Sequence, residues 1–178
     1  MSLYRDPPKD GVVVCTDEMD RWPPFHGEVE AGAKNLLADL AATIGPQPLN
    51  SGTFAPHTGH AVGFPNSCKT GEAVLAFLKD SVVPQFGGDR KLYLTWDNFS
   101  AHKRALNLWV PKPANIEFLW TPTNVSWLNL IEPWFLVLEK TALHNTDLKT
   151  TTAINENLLQ GIAYLIVHPK PYRWNKAI

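Results

Sequence analysis

The chain has 178 residues, 44% of them hydrophobic, which is enough for one domain with a substantial core and short for two. Sixteen Lys and Arg against seventeen Asp and Glu give a formal charge of -1, excluding a whole-chain basic field that draws it to nucleic acid or acidic membranes. No apolar run reaches the roughly 18 residues of a membrane span, no export signal opens the chain, and two cysteines, Cys15 and Cys68, are too few for a disulfide framework.

The first predicted element is Gly11 to Asp17, a β-branched run with little polar interruption that reads as a strand buried on both faces, with Asp17 at its C-terminal end. Residues 21–48 are rich in proline, with Pro23, Pro24, Pro46 and Pro48 bracketing a helix-like stretch from Ala31 to Ile44. Strands are expected over Leu49 to Ala55 and His60 to Phe64, joined by the turn-forming Pro56-His57-Thr58-Gly59 as a hairpin. Thr70 offers an N-cap to an amphipathic helix carrying Val74, Leu75, Phe77, Leu78 and Val82, which Pro84 is expected to end.

Gly87 and Gly88 break the chain before Lys91 to Trp96, a second strand that delivers an aspartate, Asp97, at its end. A helix over His102 to Val110 and a short strand over Ile116 to Trp120 follow, and this alternation implies an α/β sheet. From Ser126 the pattern turns helical, with Trp127, Leu128, Ile131, Phe135 and Leu138 on an apolar stripe and Glu132 beside it. A last helix spans about Thr150 to Val167, with Ile154, Leu158, Ile162 and Leu165 inward.

Three carboxylates thus occupy comparable places: Asp17 and Asp97 at strand ends, and Glu132 on a helix among aromatics. On neighbouring strands the two aspartates would share the crevice at the carboxyl edge of the sheet, and a helix packed there would add the third. Hard oxygen ligands of this kind suit Mg2+ or Mn2+. Two such ions roughly 3.5 to 4 Å apart can activate a water or a DNA 3′-hydroxyl and stabilise the departing oxygen of a phosphodiester. The plainer alternative is that Asp97-Asn98 forms a turn or helix cap and Glu132 is a solvated helix residue. Glu18 faces away from Asp17 if the strand continues, which makes it the weaker ligand. Trp127, Trp134 and Phe135 read as core, with DNA stacking the lesser alternative.

The segments Leu94-Thr95-Trp96-Asp97-Asn98-Phe99-Ser100-Ala101-His102-Lys103 and Thr121-Pro122-Thr123-Asn124-Val125-Ser126-Trp127-Leu128-Asn129-Leu130-Ile131-Glu132 closely resemble mariner-like DDE transposases, especially their bacterial insertion-sequence branch. The 34 residues between Asp97 and Glu132 resemble that superfamily's separation. Val13-Val14-Cys15-Thr16-Asp17-Glu18 is similar to its first catalytic strand, and Pro169-Lys170-Pro171-Tyr172-Arg173-Trp174 to its usual ending.

The resemblance covers most of residues 11 to 178. It implies an RNase H-like fold, a mixed central sheet flanked by helices, and a single catalytic domain over residues 1–178 without a counterpart of the family's N-terminal helix-turn-helix region. It implies Asp17, Asp97 and Glu132 as catalytic metal ligands for Mg2+ or Mn2+, with two ions expected. Asn98, His102 and Asn129 match accompanying positions that orient ligands or approach phosphate, although a histidine in a first helical turn is commonly a surface or capping group. The implied activity is cleavage of DNA at transposon ends and transfer of the freed strand to target DNA. The implied partners are DNA and a second copy of the chain, with no membrane. The expected compartment is the bacterial cytosol, and the nucleoid when DNA is bound. Two competing expectations stand beside it: a noncatalytic remnant keeping the fold and a DNA or dimer surface, and an RNase H-like nuclease that cuts without joining.

Overall fold

A computed structural model describes residues 2–19, 49–65, 69–122, 128–144 and 150–172. A short helix, α1 (Ser2–Arg5), precedes β1 (Gly11–Glu18), β2 (Leu49–Phe54) and β3 (Ala61–Pro65). Helix α2 (Gly71–Phe77) runs into a wider π-helical segment (Leu78–Gly87), followed by β4 (Lys91–Trp96), α3 (Ser100–Leu108) and β5 (Ile116–Trp120). Helices α4 (Ile131–Leu143) and α5 (Thr151–Val167) complete the described chain. The helix expected over Ala31 to Ile44 lies outside the described residues.

The strands form one sheet in the order β3-β2-β1-β4-β5. β1, β2 and β3 are an antiparallel meander, whereas β4 and β5 run parallel to β1. This is the mixed sheet flanked by helices expected of an RNase H-like fold. β1 is central because its alternating side chains both find apolar partners. Val14 faces a layer made with Leu92, Leu94, Trp96, Val74, Phe77 and Ala105. Cys15 faces the other layer, with Phe54, Ile131, Trp134, Leu138 and Ile162. The chain is therefore three layers deep, with α2 and α3 on one face of the sheet and α4 and α5 on the other.

The β2–β3 hairpin forms where the turn residues place it. Ala55 N–H donates to His60 O at 2.8 Å, and Gly59 takes φ +78°, a left-handed conformation that favours glycine. Thr70 caps α2 by accepting from Ala73 N–H at 3.3 Å, and Thr150 caps α5 by accepting from Ala153 N–H at 3.2 Å.

Several element boundaries differ from expectation, α3 among them in starting at Ser100 rather than His102. The helical path does not stop at Pro84 but continues to Gly87, because the chain widens there into π-type turns that accommodate the ring. α3 ends at Leu108 rather than Val110, since a residue before proline is disfavoured in helical conformation. α4 begins at Ile131 rather than Ser126. Pro133 then falls in its first turn, where backbone N–H groups have no helical partner to lose.

Candidate metal centre

Two parallel neighbours, β1 and β4, end side by side. Their register pairs Val13 with Tyr93 and Cys15 with Thr95, so two residues further on Asp17 and Asp97 reach the same carboxyl edge of the sheet. Ligand atoms of Asp17, Asp97 and His102 all lie within 4.8 Å of one another. The shared crevice expected for the two aspartates is present.

Each aspartate is held by named donors. Asp17 Oδ1 accepts from Glu18 N–H at 2.8 Å, and Asp17 Oδ2 accepts from Asn129 Nδ2 at 3.3 Å. Asn129 is fully buried and also donates to Thr16 O at 2.9 Å, which pins the turn before α4 to the end of β1. Among the described residues its own Oδ1 has no hydrogen-bond partner. Asp97 Oδ1 accepts from Phe99 N–H at 2.9 Å, forming the turn that leads into α3, and lies 2.9 Å from His102 Nδ1. The turn-forming and site-forming roles of Asp97 therefore coexist.

His102 is not a surface or capping group. It is fully buried, stacked on Trp96 with ring centroids 4.7 Å apart, and its Nε2 lies 3.0 Å from Glu18 Oε1. Burial opposes its charge, but the bonds to Glu18 and the proximity of Asp97 hold its pKa above the ordinary histidine value. Asp17 is pushed up to about 7, first by burial and then by the nearby Glu18 and Asp97 carboxylates, against the opposing influence of Glu18 N–H and His102.

The side chains fit a divalent cation by their own chemistry. The buried Asp17 carboxylate, reluctant to ionise beside Glu18 and Asp97, and an amide oxygen without a partner among the described residues make a pocket of negative potential that a hard cation would relieve. Asp17 and Asp97 supply hard oxygen donors for it. His102 is a poorer ligand than its place in the cluster implies, because both ring nitrogens already face carboxylate oxygens.

Glu132 is exposed in the first turn of α4, with its N–H bonded to Asn129 O at 3.3 Å, and its carboxylate does not share the 4.8 Å cluster. Asn98 turns away from the carboxylates and donates from Nδ2 to Thr121 O at 2.7 Å, tying the turn after β4 to that after β5. Trp134 is buried and faces Phe54, with ring centroids 6.3 Å apart, and Phe135 packs against the same layer, so both are core. Trp127 lies outside the described residues.

The contact that sequence reasoning missed is Glu18 with His102. Alternation along β1 does send Glu18 to the face opposite Asp17, as expected, but α3 lies on that face and brings His102 to meet it. The available signal was an acidic pair closing one strand together with a histidine one helical turn beyond the aspartate closing the next.

A family model described as DDE superfamily endonuclease matches residues 51–155. No curated protein and no solved structure matches the chain. The match spans more than half of the sequence and includes Asp97, His102, Asn129 and Glu132, and the chain belongs to that family.

Proposed function

We propose that this DDE superfamily endonuclease is the catalytic domain of a mariner-like transposase of the insertion-sequence type, cutting DNA at transposon ends and transferring the freed strand. The observation that carries the reading is the meeting of Asp17 and Asp97 at the ends of adjacent parallel strands. The motif around Asn129 and Glu132 supports the narrower assignment by its resemblance to that branch.

In this reading Asp17 and Asp97 hold divalent metal, Mg2+ or Mn2+, and Glu132 joins them as the third ligand. When bound, such ions supply activation of the attacking hydroxyl and stabilisation of the departing oxygen. The chain's own part is placement. Asn129 anchors the start of α4 to β1, and Glu132 follows one turn later, its N–H bonded to Asn129 O. His102 holds Asp97, and Asn98 fixes the turn that follows it. DNA is the proposed substrate, residues 1–178 act as a single catalytic domain, and a homodimer is the proposed working unit.

The test supplies DNA ends and Mg2+ or Mn2+ to the chain and to Asp97→Asn of verified fold. Metal-dependent cutting is expected to fall at least a thousandfold in the variant. Unchanged cutting would remove Asp97 from the chemistry. Joined products support the transposase, whereas nicked products alone support the endonuclease without strand transfer.

A further inference from the structure

The buried Glu18 carboxylate is a further acidic group at the edge that holds Asp17 and Asp97, outside the expected trio of ligands. Its Oε1 lies 3.0 Å from His102 Nε2, and its side chain is 6% exposed. The opposite ring nitrogen, Nδ1, bonds to the Asp97 backbone O at 3.3 Å and lies 2.9 Å from Asp97 Oδ1. A backbone carbonyl accepts only, so Nδ1 carries hydrogen toward Asp97 while Nε2 meets Glu18, and the ring spans the two residues. The ring cannot slide, because Trp96 stacks on one side and Phe99 meets it edge-on with centroids 5.7 Å apart.

We propose that Glu18 is a positioning residue of the metal centre, acting through His102 as a strut that holds Asp97 in place by its backbone O and by the charge beside its carboxylate. The inference rests on the metal centre of the proposed function and adds a residue to it. A metal-binding carboxylate is commonly oriented by a hydrogen-bond partner behind it, and here that partner is itself anchored by a second carboxylate. The strut occupies both nitrogens of His102, so this histidine orients a ligand rather than serving as one. Asp97 Oδ1 accepts from Phe99 N–H and lies 2.9 Å from His102 Nδ1, whose hydrogen bond goes to the Asp97 backbone O, leaving Oδ2 without a partner among the described residues.

Three substitutions separate positioning from packing and from direct ligation: Glu18→Ala, Glu18→Met and Glu18→Gln, each checked for cooperative unfolding. The probe is Mn2+ alone, titrated by calorimetry against the intact chain. Glu18→Ala is expected to weaken Mn2+ about tenfold. Glu18→Gln, whose amide oxygen still accepts from Nε2, should recover affinity to within about threefold of the parent, whereas Glu18→Met should not. If Glu18→Ala does not fold, the Gln and Met variants carry the comparison. Recovery by Met would make Glu18 a packing residue, and a loss in Gln as deep as in Ala would make it a ligand; either overturns the proposal. Spin-echo spectroscopy of bound Mn2+ should show no directly coordinated nitrogen, and its presence would make His102 a ligand and overturn the strut. If the parent chain binds no Mn2+, the metal centre itself falls and the inference with it. A parent that binds while the variants break the pattern overturns the inference alone.

Discussion

At the scale of single residues, the site is a cluster of charges that fold against their own repulsion. An unfolded Asp17 loses its proton near 3.8 and the folded one at about 7, so ionising it costs folding free energy. That cost is absent below the unfolded value, grows as pH rises toward about 7, and is constant above it. His102 runs in the same direction: its raised pKa contributes stability that is fully present below the ordinary 6.5 and is lost as pH rises through the higher folded value. The metal-free chain should therefore be less stable at pH 8 than at pH 5, by on the order of a few kcal/mol. Urea unfolding across this range checks it, with Asp17→Asn expected to flatten the fall between pH 4 and 7. Parallel curves for the two chains would show that Asp17 is not the group responsible. Asp17 and Asp97 were legible in the sequence because each closes an apolar run, and strand ends on one edge of a sheet converge. The Glu18–His102 pair was not, because 84 positions separate the partners and only the packing of α3 against the sheet joins them.

Among elements, the β2–β3 hairpin carries a constraint from outside itself. A Cβ built on Gly59 would lie 2.5 Å from the backbone N and C of Lys170, and Tyr172 N–H donates to Pro56 O at 2.7 Å. The chain after α5 thus closes over the hairpin turn, and glycine is required both by φ +78° and by this approach. Gly59→Ala should cost about 2 kcal/mol or more, combining the left-handed penalty with displacement of the tail. Thr150→Ala, which removes only a cap, should cost about 1 kcal/mol. Thermal unfolding of the two variants checks the order, and a Gly59→Ala chain as stable as the parent would mean that the tail does not pack on the turn. The hairpin, its turn and β5 could be read from the sequence because local chemistry decides them. The start of α4 could not, because Asn129 spends its side chain on Thr16 and Asp17 of a distant strand, a tertiary bond that no helical periodicity reports.

Across the whole molecule, the mixed order β3-β2-β1-β4-β5 is what makes a site from two aspartates 80 positions apart, since only a crossover from β1 to a parallel β4 sets their ends together. Alternation of strands and helices announced an α/β sheet and the family resemblance a mixed one, whereas the order of its strands is a property of long-range pairing that the sequence did not report. The same edge poses a problem for a polyanionic substrate. The chain carries -1 overall, and Arg104, one of its few clustered cations, is already ion-paired with Glu72. The exposed Lys103, Lys112 and Lys170 remain to meet phosphates. In the proposed function, a duplex approaching Asp17 and Asp97 is repelled until metal neutralises them. Binding of a DNA duplex, followed by fluorescence anisotropy, should therefore be weak with chelator and strengthened by Mn2+. With about three phosphate contacts, it should weaken about fortyfold between 50 and 200 mM salt. Asp97→Asn removes one repelling charge and one ligand together, so it should bind DNA more tightly than the parent in chelator while losing the response to Mn2+. A parent chain that binds DNA equally with and without metal would place the DNA surface away from the carboxylate edge and detach binding from the proposed centre.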